Sequence, residues 1–550
     1  MLYAVACIRG DSMYDVKLNS SLFTAMTDER VLPTTVGSIL ADAARDAPRL
    51  PALKEALPDG SIGRAWTYAE LHRDATHLAT ALLSRFQPGE RIAVYAPNIP
   101  EWVLLEFAAA MAGLVLVTVN PAYQPKELNY VVEQSRSAGL FYVESFRGNA
   151  MGDHARGAKA AIPALRHLIN LESQDDLFAG AGTRKLPDVK PEDAVQIQYT
   201  SGTTGFPKGA VLHHKGLTNN ARFALGRLGV KHGDTYLGVM PLFHTGGCAI
   251  GVLGAVQMRA CTLLVKMFDP ATINLMVERE KVMAFLGVPT MLVGMLEAHR
   301  THKRDMSSLK TVMSGGAMVA PELVRAVKDA FGTTLCIIYG QTEASPGITQ
   351  TRATDSFEDR TQTIGQPYPQ TDVAIMDSAT GRIMPLGETG EICARGYCVM
   401  TEYNDNPKAT AAAIDAQGWL HTGDLGTMDE RGFIKITGRL KDMIIRGGEN
   451  LFPAEIENVL LTHPSIAEAA VVGVADPKWG ELPVAFLRLH EGASVSRTEL
   501  VAHVRKELAA PKTPAHWYRV NSWPLTGSGK IQKFVLRDQH AAGAFEGSEI

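Results

Sequence analysis

Apolar positions along this chain repeat with two different periods, and the alternation between them sets the architecture. Over residues 66–82, Leu71, Ala75, Leu78, Ala79 and Leu82 fall on one face of a helix opened by Trp66-Thr67-Tyr68. Residues 91–95 then read as a strand. Residues 100–112 read as an apolar helix entered through Pro100, and 114–119 as a strand closed by Asn120-Pro121. A helix over 126–134 and strands over 139–143 and 194–198 follow. After residue 210 the same rhythm returns, with strands at 236–239, 262–265, 284–287, 311–314 and 334–338 and helices between them, for example 321–330. Such strand–helix–strand units predict parallel sheets covered by helices. They group as two similar α/β halves, roughly 60–200 and 210–345. From about residue 360 short strands at 373–376, 390–394 and 432–437 alternate with Gly, Pro and Asp turns, predicting a small β-rich module. Beyond 440 the pattern is α+β, with helices at 453–461 and 498–508 and strands near 469–474 and 484–489. The fold class is α/β: a large N-terminal domain of two α/β sheet subdomains plus a small β-barrel-like module, and a small α+β C-terminal domain. Residues 1–35 show no period and are read as wrapping the surface.

Composition narrows the picture without redirecting it. A chain of 550 residues exceeds one core and splits into domains. The charges, 54 basic against 58 acidic residues, give a net −4, which calls for neither nucleic acid nor an anionic membrane surface. Cys7, Cys248, Cys261, Cys336, Cys393 and Cys398 are scattered with no CxxC. That argues against a disulfide framework or structural zinc and for buried thiols in a reducing compartment. The apolar start, Met1 to Ile8, is broken by Arg9 and Asp11 and lacks a basic leader, so it is not read as a signal peptide. No run is long and apolar enough to span a bilayer. The expected location is cytoplasmic.

Chemistry enters with Tyr199-Thr200-Ser201-Gly202-Thr203-Thr204-Gly205-Phe206-Pro207-Lys208-Gly209, directly after the strand at 194–198. Glycines allow a sharp turn and close approach to a ligand. Hydroxyls and backbone N–H groups favour an anion, and Lys208 adds a point charge suited to phosphate. The loop reads as a polyphosphate holder or as a polar surface turn. It is not a Walker loop, since Gly209 rather than a hydroxyl residue follows Lys208. Tyr339-Gly340-Gln341-Thr342-Glu343 follows a strand, where open α/β sheets bind ligands. Glu343 could hold Mg²⁺ beside phosphate oxygens or cap a helix. Ser314-Gly315-Gly316-Ala317 would let a flat ring lie against the backbone, or is a tight turn. His421-Thr422-Gly423-Asp424 offers a carboxylate for a ribose diol, or a turn Asp. His244, after Pro241-Leu242-Phe243, and Lys530, in Thr526-Gly527-Ser528-Gly529-Lys530, have structural and solvated readings of their own.

In this order the motifs resemble the adenylate-forming superfamily of acyl-CoA synthetases, nonribosomal adenylation domains and luciferases. The signatures are residues 199–209, 339–343, 418–424, Gly438-Arg439-Leu440-Lys441-Asp442 with Arg446-Gly447-Gly448-Glu449-Asn450, and Ser528-Gly529-Lys530-Ile531, spread over about 35–535. The resemblance implies an AMP-forming acid–CoA ligase using ATP, Mg²⁺ and CoA. Thr200, Ser201, Gly202, Thr203, Thr204, Gly205 and Lys208 would hold the β- and γ-phosphates. Glu343, with Thr200, would bind Mg²⁺. Gly315, Gly316, Ala317, Tyr339 and Gly340 would frame adenine, Gln341 belongs to the same motif, and Thr342 would touch the α-phosphate. Asp424 and Arg439 would hold the ribose. Lys530 would bridge the acyl carboxylate and α-phosphate, and His244 is counted with the catalytic set. Lys441 falls at the hinge, dividing an adenylation domain over 1–438 and a mobile domain over 443–550 from a linker at 439–442. Gly447 and Gly448, with Glu449 beside them, would line the pantetheine path. Leu525 departs from the pattern, which has a basic residue before the Thr of the last motif.

Asn120-Pro121-Ala122-Tyr123, the His421-Thr422-Gly423-Asp424 form and residues 446–457 are most similar to medium- and long-chain fatty acyl-CoA synthetases. An acyl tunnel would then lie among residues 244–254, 285–292 and 315–318. An aryl-acid ligase of the 4-coumarate or benzoate type and a non-catalytic acyl-nucleotide-binding protein stay open. The implied partners are fatty acid, ATP and CoA, with a homodimer left open.

Overall fold

The computed structural model describes residues 13–200, 207–317, 319–447, 449–525 and 531–550. The helix expected after Trp66 runs Tyr68–Leu82. Thr67 starts it because its hydroxyl accepts from the Glu70 N–H while the Glu70 carboxylate accepts from the Thr67 N–H. Leu71, Ala75, Leu78, Ala79 and Leu82 are all buried, as their spacing predicts. Helix Pro100–Met111 is buried on every side, which explains a sequence that is apolar except for Glu101 and Glu106.

By its internal contacts the chain forms two compact units: Met1–Asp15, Phe23–Val373 and Ala394–His421 in the first, Val16–Leu22, Ala374–Cys393 and Thr422–Ile550 in the second. The first holds two sheets. One has seven strands in the order Glu402–Tyr403, Lys208–His213, Ala194–Thr200, Val115–Val119, Arg91–Tyr95, Gly139–Tyr142, His167–Asn170. The other has nine: Gln366–Pro367, Gly347–Gln350, Thr334–Gly340, Thr311–Gly315, Val282–Leu286, Thr235–Gly238, Cys261–Val265, Pro51–Ala56, Ile62–Thr67. The central strands are parallel, as expected. The halves are not sequential, however. Strand Pro51–Ala56 pairs in parallel with Cys261–Val265, so an early hairpin completes the later sheet. Strand Lys208–His213 returns antiparallel along Ala194–Thr200 and completes the earlier one.

The β-rich module is a five-stranded sheet in the order Leu22–Phe23, Thr371–Met376, Gly390–Gly396, Leu420–Met428, Ile434–Arg439. The α+β part pairs the long strands Ile466–Asp476 and Gly480–Leu489, with His516–Arg519 parallel to the latter. Helices Pro453–Leu461 and Arg497–Glu507 bury Ile456, Leu460, Leu500 and Val504 in the same core. No described helix is long and apolar enough to cross a membrane. Cys248, Cys261, Cys336, Cys393 and Cys398 are buried free thiols, and Cys7 lies outside the described residues.

Candidate functional site

Strand pairing builds the base of the phosphate loop. Thr200 faces Lys208 and Tyr199 faces Gly209 across an antiparallel pair of strands. Gly209 is required there, because a Cβ would lie 2.7 Å from Ile197 Cγ2 and 3.1 Å from Tyr199 Cζ. Tyr199 is anchored by donating its hydroxyl to Gln134 Oε1, and Tyr130 Oη donates to Pro207 O at 3.1 Å. Ser201, Gly202, Thr203, Thr204 and Gly205 lie outside the described residues.

Glu343 sits on the short turn Thr342–Ala344 that follows strand Thr334–Gly340. It is 7% exposed, and its carbonyl accepts from Met400 N at 2.7 Å. Its Oε1 accepts from Tyr403 Oη at 2.6 Å and from Thr200 Oγ1 at 3.5 Å. No described residue donates to Oε2. Tyr403 arrives through the edge strand Glu402–Tyr403, which pairs with Ala210 and Val211 just past the loop. Lys208 Nζ stands 4.9 Å from the centre of the Tyr403 ring. Thr200, Lys208 and Glu343, distant in sequence, are thus brought together, and Tyr403 joins them. No motif marked Tyr403; only the pairing of its strand could have found it. Burial, and then the Glu343 carboxylate, push the Tyr403 hydroxyl well above its usual range. The phenol therefore remains a donor through neutral and mildly alkaline pH. Tyr403→Phe is expected to lower pyrophosphate release about tenfold, with the same factor across roughly pH 6–9, since the lost bond is one to a charged group. A loss that vanished toward pH 9 would contradict a protonated Tyr403.

The strands ending in Gly315 and Gly340 lie side by side, with Gly315 opposite Ile338. A Cβ at Gly315 would sit 2.4 Å from Ile338 O, and one at Gly340 1.9 Å from Pro346 O. Gly316, Ala317 and Gly340 are exposed, Tyr339 and Thr342 buried, and Gln341 half-buried. The parallel strand ends therefore present backbone without side-chain cover, the surface a flat ring needs. His244 lies in the turn after Pro241; its Nδ1 accepts from Gly246 N at 3.1 Å.

In the second unit, Asp424 and Arg439 face each other across an antiparallel pair, and Arg439 Nε donates to Asp424 Oδ1 at 2.7 Å. The Asp424 side chain is 8% exposed and that of Arg439 60%, so a fixed carboxylate carries a reachable guanidinium. Lys441 is exposed on the turn Leu440–Asp442. Gly447 has φ +60° and donates its N–H to Trp479 O at 2.7 Å. Trp479 is 43% exposed, with Lys478 Nζ 5.0 Å and the Arg446 guanidinium 5.8 Å from its ring. Glu449 is exposed on the strand beside Arg446. Gly448 and Lys530 lie outside the described residues.

The chain matches a family model described as AMP-binding enzyme over residues 40–404, and one described as AMP-binding enzyme C-terminal domain over 455–530. It is 39% identical to the putative acyl-CoA synthetase YngI of Bacillus subtilis, over 92% of this chain and 97% of that protein. It is 34% identical to the mitochondrial medium-chain acyl-CoA ligase ACSF2 of Homo sapiens, over 93% and 88%. The crystal structure of ATP-bound MatB from Rhodopseudomonas palustris superposes with a TM-score of 0.84 at 28% identity, covering 92% of this chain and 99% of that one.

Proposed function

Since the chain belongs to the AMP-binding enzyme family and is an AMP-forming acid–CoA ligase, we propose that its acid is a medium- or long-chain fatty acid. The reaction is the family's two-step one. A carboxylate oxygen attacks the α-phosphorus of ATP and the bond to pyrophosphate breaks, giving acyl-AMP. The CoA sulfur then attacks the acyl carbon, its proton leaves, and AMP departs with the C–O bonding electrons. The first step brings negative groups together, so positioning and charge neutralisation carry it.

The observation behind the residue roles is the cluster of Thr200, Lys208, Glu343 and Tyr403 where strands Ala194–Thr200 and Lys208–His213 pair. Thr200 and Lys208, with residues 201–205, are assigned to the β- and γ-phosphates. Glu343 is assigned to Mg²⁺, supported by the fit of its donor set: one nearly buried carboxylate with Oε1 held and Oε2 unused by described residues, and a hydroxyl beside it. When bound, the ion would offset charge on the phosphates. Tyr403 keeps the carboxylate turned toward Thr200. Gly315, Gly316, Ala317, Tyr339 and Gly340 frame adenine, with Gln341 in the same nucleotide-binding motif, and Thr342 contacts the α-phosphate. Asp424 accepts from the ribose hydroxyls, with Arg439 fixing its carboxylate. Lys530 bridges the acyl carboxylate and α-phosphate. A pivot at residues 439–442, around Lys441, rebuilds the site for CoA; it falls inside the second compact unit. Gly447, Gly448 and Glu449 border the pantetheine, and Trp479, flanked by Lys478 and Arg446, is a platform for the phosphate-bearing nucleotide of CoA. The acid's tail is assigned to the region of His244. The five buried free thiols suit a reducing compartment such as the cytoplasm, whereas ACSF2 is named as mitochondrial.

The fatty-acid assignment is supported by the 34–36% identity to medium-chain ligases. A pyrophosphate-release panel of C2 to C18 fatty acids and aryl acids, with and without CoA, tests it. Turnover is expected to peak among C6 to C18 acids and to yield acyl-CoA. Turnover with aryl acids alone would overturn the reading.

A further inference from the structure

Away from the phosphate loop, one buried polar chain runs through the first unit. Glu106 stands in the middle of helix Pro100–Met111, the one charged residue after Glu101 at its start, and is 1% exposed. Its Oε1 accepts from Gln196 Nε2 at 2.7 Å. Gln196 Oε1 accepts from Gln198 Nε2 at 2.8 Å and from the Cys248 thiol at 3.6 Å, and Gln198 Nε2 also lies 3.2 Å from Cys248 Sγ. Gln196, Gln198 and Cys248 are all buried. Glu106 Oε2 finds no hydrogen-bond partner among the described residues. Burial holds the carboxyl of Glu106 well above the usual carboxylate range. A lone carboxyl in such a place is costly, and an apolar residue of the same size would serve packing at least as well.

The far end of the chain gives it a use. Cys248 belongs to a π-helix, Gly246–Leu253, whose wide first turn closes through Ile250 N to Thr245 O at 3.0 Å. Such turns are uncommon and collect at functional sites. The Cys248 and Gly247 N–H groups both donate to His244 O, at 3.2 and 2.9 Å, and Gly246 N donates to the His244 ring. The turn has no slack, because a Cβ at Gly247 would lie 2.2 Å from Pro241 O. Whatever displaces Cys248 therefore displaces His244.

We propose that Glu106 is a positioning residue for the acid substrate: through Gln196 and Gln198 it fixes Cys248, and with it the turn that carries His244. The proposal rests on the reading of the His244 region as the place of the acid's tail. Gln198 also stands two residues before Thr200 on the same strand, so the chain spans from the loop strand to that turn.

The test is steady-state kinetics of the full chain, with acid and ATP varied separately, for Glu106→Leu, Glu106→Gln, Cys248→Ala and His244→Ala. Glu106→Leu and Cys248→Ala are each expected to raise KM for the acid about tenfold and to reorder preference by chain length, with KM for ATP within about twofold. Glu106→Gln, which keeps a neutral acceptor oxygen, is expected to restore the acid KM to within about twofold. A merely structural role would lower Tm while leaving acid KM alone or moving acid and ATP together, and either result overturns the proposal. If His244→Ala leaves the acid KM unchanged, the reading of the turn fails and the proposal falls with it. If His244→Ala raises it and Glu106→Leu does not, the proposal alone is overturned. Should Glu106→Leu fail to fold, Cys248→Ala decides.

Discussion

Glu343→Gln is expected to lower fatty-acid-dependent pyrophosphate release by about 10²–10³-fold, the scale of losing one preorganised electrostatic partner of the developing charge. The substitution keeps the size of the side chain and one oxygen for Tyr403 and Thr200, so the turn Thr342–Ala344 should stay in place. What disappears is the negative charge on a nearly buried group. The Mg²⁺ concentration needed for half-maximal rate should therefore rise, while Tm changes little. A rate within about threefold of the parent, at the same Mg²⁺ requirement, would remove Glu343 from the metal assignment and leave it as the anchor of Met400 and Tyr403.

Lys530→Ala is the second large effect, and it separates the half-reactions. Pyrophosphate release should fall about 10²–10³-fold, because a cation is lost where three negatively charged groups meet. Thioester formation from supplied acyl-AMP and CoA should persist within about fivefold, since Lys530 is assigned to the first step only. Equal losses in both steps would contradict that assignment. Unchanged release of pyrophosphate would remove Lys530 from the catalytic assignment.

Much of this was legible in the residues, for reasons that differ by position. Tyr68–Leu82 was readable because one face of it is apolar and its opening Thr67 and Glu70 cap it locally. Strands such as Arg91–Tyr95 were readable because both faces are covered, leaving short apolar runs. Their partners were not. Which sheet Pro51–Ala56 or Lys208–His213 joins is decided by residues far away, and periodicity holds no such information. Thr200, Lys208 and Glu343 were visible because loops that hold phosphate need particular residue types at fixed spacing. Tyr403 has no such pattern, since its place depends on an edge strand of two residues. Glu106 did leave a trace: it is a charged residue in the second turn of a helix that is otherwise apolar beyond its first residues. The π-helix Gly246–Leu253 left none, because a glycine-rich apolar run fits several backbones equally well.

The interleaving of the two sheets also sets a timetable for the chain during its synthesis. Strand Pro51–Ala56 must wait for Cys261–Val265, about 200 residues later, before its parallel partner exists. At ribosomal rates that is about 10–40 s with one edge of that hairpin unpaired. In the first sheet, strand Lys208–His213 waits about as long for its partner Glu402–Tyr403, which brings the hydroxyl that holds Glu343. Nascent chains released early would carry the phosphate-loop strands without that hydroxyl, and would expose strand edges open to aggregation.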